Sequence, residues 1–168
     1  MKELLEYDTY IFETDAFKEE SIIRDEDGNE LGRAVRSHGL LRAEVNLYDS
    51  QGKKWGRVKI KPSLSRGAYN FHDHNENIIA KMKPKIKSIL KPSFWMEDPE
   101  GKKIYDVDSN WSGEKFKIKD KSGSIVAQIK QEVTGLTSSD YILKIINMNP
   151  LIALLIVPVI RIDKEIRS

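Results

Sequence analysis

Two segments of the chain alternate basic and apolar residues with the period of a β-strand. RVKIK (57–61) and AKMK (80–83) both show this pattern, and Lys85, Lys87 and Lys91 follow Pro84. Side chains two residues apart share one face of a strand, so the basic side chains lie together if the apolar ones face a core. This candidate set, the basic ladder, consists of Arg57, Lys59, Lys61, Lys81, Lys83, Lys85 and Lys87.

The basic ladder predicts a site for phosphate-bearing ligands. Residues 52–91 hold 11 Lys or Arg against 2 Asp or Glu, a net charge of +9 in a chain whose total is +2. Basic side chains near an anionic lipid surface contribute about 1 kcal/mol each. We therefore expect the ladder to bind the phosphates of anionic phospholipid headgroups. The alternative is an ordinary solvated strand surface whose lysines protect against edge-to-edge pairing.

The other polar clusters predict neither a metal site nor a cofactor nor catalysis. His72 and His74 of FHDHNEN share a strand face, but two histidines without a third ligand fit a polar hairpin tip better. RDEDGNE (24–30) resembles a calcium loop but lacks its spacing, so a solvated turn is the better interpretation. The chain has no cysteine and no recognised nucleophile or nucleotide-binding motif. We therefore expect a protein that is not an enzyme and has no cofactor.

Consecutive β-hairpins are the elements that would position the ladder. Five times, an alternating run is followed by a polar turn and a second run, with turn centres near 28, 52, 75, 100 and 122. Asn75 and Asn77 stand in for glycine in the third turn, because both residue types tolerate positive φ. With YDTYIFE (7–13) and DYILKII (140–146), the pattern predicts about twelve antiparallel strands. So many strands must close into a barrel or stack as a sandwich.

The segment NPLIALLIVPVIRID (149–163) is the most apolar part of the chain. Its uninterrupted run of ten residues, Leu151 to Ile160, forms about 15 Å of helix, whereas a bilayer requires about 20 residues. A helix that is apolar on every face must be surrounded, and a barrel of ten or more strands has room for one. We predict a central helix over about 149–162; the alternative is a membrane anchor near the C-terminus.

Two details of this helix follow from its sequence. Asn149 is a suitable N-cap and Pro150 a suitable first residue. Pro158 removes a backbone donor, so the helix is expected to bend or end near Val157. The residues that would then pack as a separate tail are Val159, Ile160 and Ile162.

The order of these motifs resembles the tubby-like superfamily, and within it the LURP-one-related branch. The likeness rests on GEKFKIKDKSGSIVAQIKQE (113–132), DYILKI (140–145) and PLIALLIVPVIRID (150–163), with a similar opening at 10–34. The resemblance implies a closed twelve-stranded barrel around a central helix, and a binding module rather than an enzyme. Tubby domains bind phosphoinositides, so the resemblance implies phosphoinositide-like ligands for the basic ladder as well. The related phospholipid scramblases are linked to lipid movement and calcium. The chain lacks the cysteine-rich, palmitoylatable stretch of the scramblases.

Taken together, we expect one mainly β domain over residues 1–168 that binds an anionic ligand at a membrane surface. The N-terminus shows no secretory signal, which favours a cytoplasmic, peripherally membrane-bound monomer. A nucleic-acid partner is not expected, because the basic block is poor in aromatic residues. Trp55, Trp95 and Trp111 are expected to pack in the core or at its rim. The alternatives are a scramblase-like protein that inserts its apolar segment, or a protein-interaction module without a small ligand.

Overall fold

Twelve antiparallel strands form a closed barrel around one helix in the computed structural model, which describes residues 3–38, 43–61, 68–85 and 91–167. Each strand pairs with the next in sequence, and β1 pairs with β12 to close the barrel. The strands are β1 (Thr9–Asp15), β2 (Glu20–Arg24), β3 (Glu30–His38), β4 (Ala43–Asp49), β5 (Lys54–Lys61), β6 (Ala68–Asp73), β7 (Ile78–Pro84), β8 (Ser93–Glu97), β9 (Lys103–Ser109), β10 (Lys115–Lys119), β11 (Ile125–Val133) and β12 (Ser138–Ile145). A short 3₁₀ helix (Leu4–Glu6) precedes β1, and helix α1 (Pro150–Arg167) follows β12. The predicted closed barrel of about twelve strands is confirmed.

Five hairpin turns at one end of the barrel, here called the aspartate end, share a single construction. In each turn one Oδ1 accepts the backbone N–H groups of the second and fourth residues that follow, at 2.9–3.1 Å. The acceptors are Asp25, Asp49, Asp73, Asp98 and Asp120. A short polar side chain that binds nearby backbone N–H groups stabilises a turn. These turns therefore fix the register of five consecutive hairpins.

The third of these turns differs from the sequence prediction. The residue with positive φ is Glu76 (φ 68°), and neither Asn75 nor Asn77 takes that conformation. Glu76 lies three residues after Asp73, the position that glycine fills in the other four turns. Asp73 binds the N–H groups of Asn75 and Asn77, so the aspartate decides which residue becomes left-handed. A left-handed conformation costs a residue such as glutamate about 1–2 kcal/mol.

Helix α1 enters the barrel at the aspartate end and fills its interior. Asn149 Oδ1 accepts the N–H of Leu151 at 2.9 Å, which confirms the predicted N-cap. Every residue from Leu151 to Ile160 is buried, and the strands surround all faces of the helix. At Gly56 in β5, an added Cβ would lie 2.7 Å from the His72 carbonyl oxygen and 3.0 Å from Leu151, so glycine permits this close approach. Within the described residues, no helix has the length and apolar character needed to span a bilayer.

The helix does not end at Pro158, and the predicted separate tail after it does not form. The helix continues through Pro158 to Arg167, so Val159, Ile160 and Ile162 belong to it and form no separate tail. A proline inside a helix costs about 3 kcal/mol, but buried packing on both sides of the proline offsets that cost. Arg161 also holds the last turns, because its guanidinium donates to the carbonyl oxygens of Asp15 (2.7 Å) and Lys18 (3.0 Å).

Candidate functional site

The basic ladder lies on the outer face of the barrel, as its alternation predicts. Val58, Ala80 and Met82 are completely buried against the interior. The basic side chains between them point outward, where the neighbouring strands leave them partly exposed. Five ladder side chains are described: Arg57, Lys59, Lys81, Lys83 and Lys85. The side chain of Lys61 and the whole of Lys87 lie outside the described residues.

Strand β6 separates the two halves of the ladder, so the basic strands are not direct neighbours. Lys59 in β5 pairs with Asn70 in β6, and Asn70 pairs in turn with Lys81 in β7. Tyr69 and Phe71 on either side of Asn70 are buried, so the amide of Asn70 points outward. Strands lie about 4.8 Å apart, which places the Cα atoms of the two lysines about 10 Å apart. Both long side chains can therefore reach one phosphate group above Asn70.

The remaining described members of the ladder already have acidic partners on neighbouring strands. Arg57 forms ion pairs with Glu44 at 3.4 Å and with Glu76. Lys83 pairs with Glu97 at 3.1 Å, and Lys85 with Asp106 and Asp108 at 3.0 and 3.1 Å. By contrast, Lys59 and Lys81 form no ion pair within the described part of the chain. The ladder is therefore a network of mixed charge, in which Lys59 and Lys81 are the cations available to a ligand.

The pKa shifts in this network favour the charged forms of the paired groups. The hydrogen bond from the Trp95 indole, and then the one from Lys83, hold the pKa of Glu97 below its usual value. Burial tends to lower the pKa of Lys85, but its hydrogen bonds to Asp106 and Asp108 outweigh burial and raise it. Both groups remain ionised at neutral pH, so the pairs persist. A ligand phosphate would compete with ion-paired carboxylates at Lys83 and Lys85. Glu44 and Glu97 face Lys59 and Lys81 across the strand pairings, but their ion pairs are with Arg57 and Lys83.

His72 and His74 do not share a face, contrary to the sequence prediction. A β-bulge at Phe71 and His72 shifts the register of β6, and the chain turns after Asp73. His72 is consequently buried, with Nδ1 3.2 Å from the Glu76 carbonyl oxygen, whereas His74 lies exposed in the turn. Across the described residues, no three side chains capable of binding a metal ion lie together. The segment after His72 forms the polar turn between β6 and β7, as predicted for a hairpin tip.

The acidic turn at 24–30 uses its central carboxylate to hold its own backbone. Oδ1 of Asp25 accepts the N–H groups of Asp27 and Asn29, and Oδ2 accepts the side-chain amide of Asn29 at 3.0 Å. The side-chain hydrogen bond from Asn29 is the main cause that lowers the pKa of Asp25. The segment is therefore a hairpin turn, as the sequence favoured.

Trp55 packs against the core as predicted, whereas Trp95 and Trp111 do not. Trp95 is half-buried on the outer face of β8, between the inward-facing Phe94 and Met96. The indole N–H groups of Trp55 and Trp95 donate to Asp49 and Glu97, each at 3.0 Å. Trp111 is 73% exposed in the connection between β9 and β10, so its prediction as a core or rim residue is wrong. Its sequence context, a single large apolar residue among Asn, Ser and Gly in NWSG, is the signal that indicates an exposed turn.

Comparisons with known proteins agree with this architecture. Residues 8–161 match the model of the family described as LURP-one-related. An X-ray structure of a protein from Arabidopsis thaliana is similar with a TM-score of 0.60 and 14% sequence identity, covering 93% of this chain and 90% of that one. At this identity the structural likeness shows the fold alone. No curated protein matches the chain.

Proposed function

This chain belongs to the LURP-one-related family of the tubby-like superfamily, and we propose that it is a non-enzymatic module that binds anionic lipid headgroups. The observation that carries the proposal is the outward row Lys59–Asn70–Lys81, in which two cations that form no ion pair within the described part of the chain flank an amide donor. Such a row offers three donors to the oxygens of a phosphate monoester or diester. The protein would act as a monomer, peripherally bound at the cytoplasmic face of a membrane.

The filled interior supports an external site. Helix α1 occupies the centre of the barrel, and the cavity beside Pro158 measures about 20 Å³, which is enough for about one water molecule. A lipid headgroup is far larger than this cavity. A cleft of about 580 Å³ at the aspartate end is large enough, but the carboxylates of Glu3, Asp25, Glu30 and Asp49 line it and would repel an anionic headgroup. These observations favour a site on the outer face of the strands.

The proposed affinity is modest and depends on the membrane. Two lysines near an anionic surface contribute about 2 kcal/mol in total. That energy is too small to hold a single free headgroup, but it concentrates the protein at a surface that presents many headgroups. Binding should therefore increase with the fraction of anionic lipid and weaken at high salt.

Reversing the two free cations tests the proposal directly. The variant Lys59→Glu with Lys81→Glu is expected to bind phosphatidylcholine vesicles containing phosphatidylserine at least about 30-fold more weakly, because loss of two attractive charges removes about 2 kcal/mol. Co-sedimentation across a range of vesicle concentrations measures the change. The fold should persist, since both side chains lie outside the core.

A matched variant separates a specific site from total charge. Lys102→Glu with Lys121→Glu changes the net charge equally, at exposed positions in two turns of the aspartate end. We expect this variant to bind vesicles nearly as well as the unaltered protein. If both double variants lost affinity equally, or if neither did, Lys59 and Lys81 would not be the binding site.

A further inference from the structure

The structure contains a second row with the same construction as Lys59–Asn70–Lys81. Lys117 in β10 pairs with Gln128 in β11, and Gln128 pairs with Lys144 in β12. Ala127 and Ile129 on either side of Gln128 are buried, so the amide points outward. Two lysines thus again flank one side-chain amide across three adjacent strands. KFKIK (115–119) alternates in the same way as RVKIK, but without the strand register its alternation predicts only a strand.

The lysines of this second row are more accessible than those of the first. Lys117 and Lys144 are both exposed, whereas Lys59 and Lys81 are half-buried. Within the described residues neither Lys117 nor Lys144 forms an ion pair, and the exposed Lys115 in the same strand forms none either. Asp108, which faces Lys117 across the β9–β10 pairing, is held by Lys85. The second row is therefore free to bind an anion.

The second row lies on the wall of the barrel that β10, β11 and β12 form. Large apolar side chains border this wall at the end of the barrel opposite the aspartate turns. Trp111 lies in the connection before β10, and Val133 and Leu136 lie where β11 leads into β12. Trp111 and Val133 are 73% and 72% exposed, and Leu136 is fully exposed. Phe17, in the adjacent connection between β1 and β2, is 85% exposed. Four of the six large apolar side chains that are exposed in the described part of the chain thus lie at this end of the barrel.

Charge locates the contact on the β10 side of this wall. Lys91 Nζ lies 5.7 Å from the centre of the Trp111 ring, so a positive charge lies next to this exposed tryptophan. On the other side, toward β1, lie the carboxylates of Glu13, Glu132 and Asp140. Lys130 pairs with Glu132 at 3.1 Å and Arg24 with Glu13 at 2.8 Å, which leaves Asp140 to repel an anionic surface. The attractive region therefore runs from Trp111 along β10 to Lys144.

We infer that this wall is a second docking surface, in which Trp111, Val133 and Leu136 enter the interfacial layer of an anionic bilayer while Lys117 and Lys144 contact its phosphates. The partner that suits this surface is a bilayer. Its acyl chains accept single apolar side chains from separate connections, and its anionic phosphates accept the nearby lysines that form no ion pair. The inference rests on the proposed function for one point alone, namely that the ligand is an anionic lipid. Strands β6 and β11 lie five strands apart around a ring of twelve, so the two surfaces face different directions.

Fluorescence of Trp111 reports on this surface separately from the first. With vesicles of phosphatidylcholine and phosphatidylserine, the emission of the unaltered protein should shift to shorter wavelength, and lipids brominated on the acyl chain should quench it. The variant Trp111→Phe should remove the response, because Trp55 and Trp95 already donate to carboxylates within the protein. Lys59→Glu with Lys81→Glu should keep the shift at saturating vesicle concentration.

Three further variants complete the test by co-sedimentation. Lys117→Glu with Lys144→Glu should weaken vesicle binding at least tenfold, and Leu136→Ser should weaken it several-fold at unchanged charge. Lys102→Glu with Lys121→Glu again serves as the charge-matched control. If the protein bound vesicles but the Trp111 emission did not change, the inference would be overturned. The first site would then remain, and the exposed apolar side chains would be assigned to a protein partner. Full binding by Lys117→Glu with Lys144→Glu would overturn the inference as well, and an absence of any vesicle binding would overturn both proposals.

Discussion

A chain that ends at residue 148 is expected not to fold into the barrel. The deletion removes eight large apolar side chains of helix α1 between Leu151 and Ile160, all of them buried among the strands. Burial of one such side chain contributes about 1.5–3 kcal/mol. The loss of eight, about 12–24 kcal/mol, is as large as or larger than the net stability of about 5–15 kcal/mol that a domain possesses. An empty lumen of this size would collapse or fill with water, and the strand interiors would lose their packing partners.

The deletion is checked by expressing both chains without detergent. The full-length chain should give a dispersed amide NMR spectrum and a cooperative unfolding transition. The shortened chain should aggregate or show neither property. The opposite pair of results, a folded shortened chain and a full-length chain that requires detergent, would mean that the apolar segment serves as an anchor.

Single truncations on opposite faces of helix α1 are expected to lower the free energy of unfolding by similar amounts. Leu154 and Ile156 are both completely buried, and they project about 200° apart around the helix axis. Leu154→Ala and Ile156→Ala should each lower the free energy of unfolding by about 2–5 kcal/mol, because each leaves a cavity that the surrounding strands fill only in part. A helix packed on one side would show this cost on one face alone.

Urea unfolding of the two variants measures the difference. Leu136→Ala provides the control, because Leu136 is fully exposed and its truncation should change the free energy of unfolding by no more than about 0.5 kcal/mol. If either Leu154→Ala or Ile156→Ala were as mild as this control, one face of the helix would not contact the barrel in solution.

Local sequence signals were sufficient for the elements whose causes are local. Alternation fixes which face of a strand is buried, and the spacing of Asp and Gly marks the hairpin turns. Asn149 could be recognised as an N-cap because the hydrogen bonds involved join it to residues 151 and 152. Glu76 was missed because residue type alone favours asparagine for positive φ, whereas the position of Asp73 determines the outcome.

Features that depend on distant residues could not be predicted in this way. Pro158 continues a helix because strands far away in sequence surround it, and local propensity points to a break. The partners of Lys83 and Lys85 lie 14 to 23 residues away, so the basic block seemed more positive than the folded surface is. Likewise, the row Lys117–Gln128–Lys144 becomes visible only when the register of three strands is known.

The central claim is that the apolar segment is the core of the domain and that membrane contact takes place on the outside of the barrel. Hydrogen–deuterium exchange, measured by mass spectrometry with and without anionic vesicles, tests both halves together. The amides of residues 151–160 should be among the slowest to exchange in detergent-free buffer, and vesicles should leave them unchanged. Peptides from β5–β7 or from β10–β12 should exchange more slowly once vesicles are added. Rapid exchange of residues 151–160 in buffer, with protection only when vesicles are present, would contradict the account.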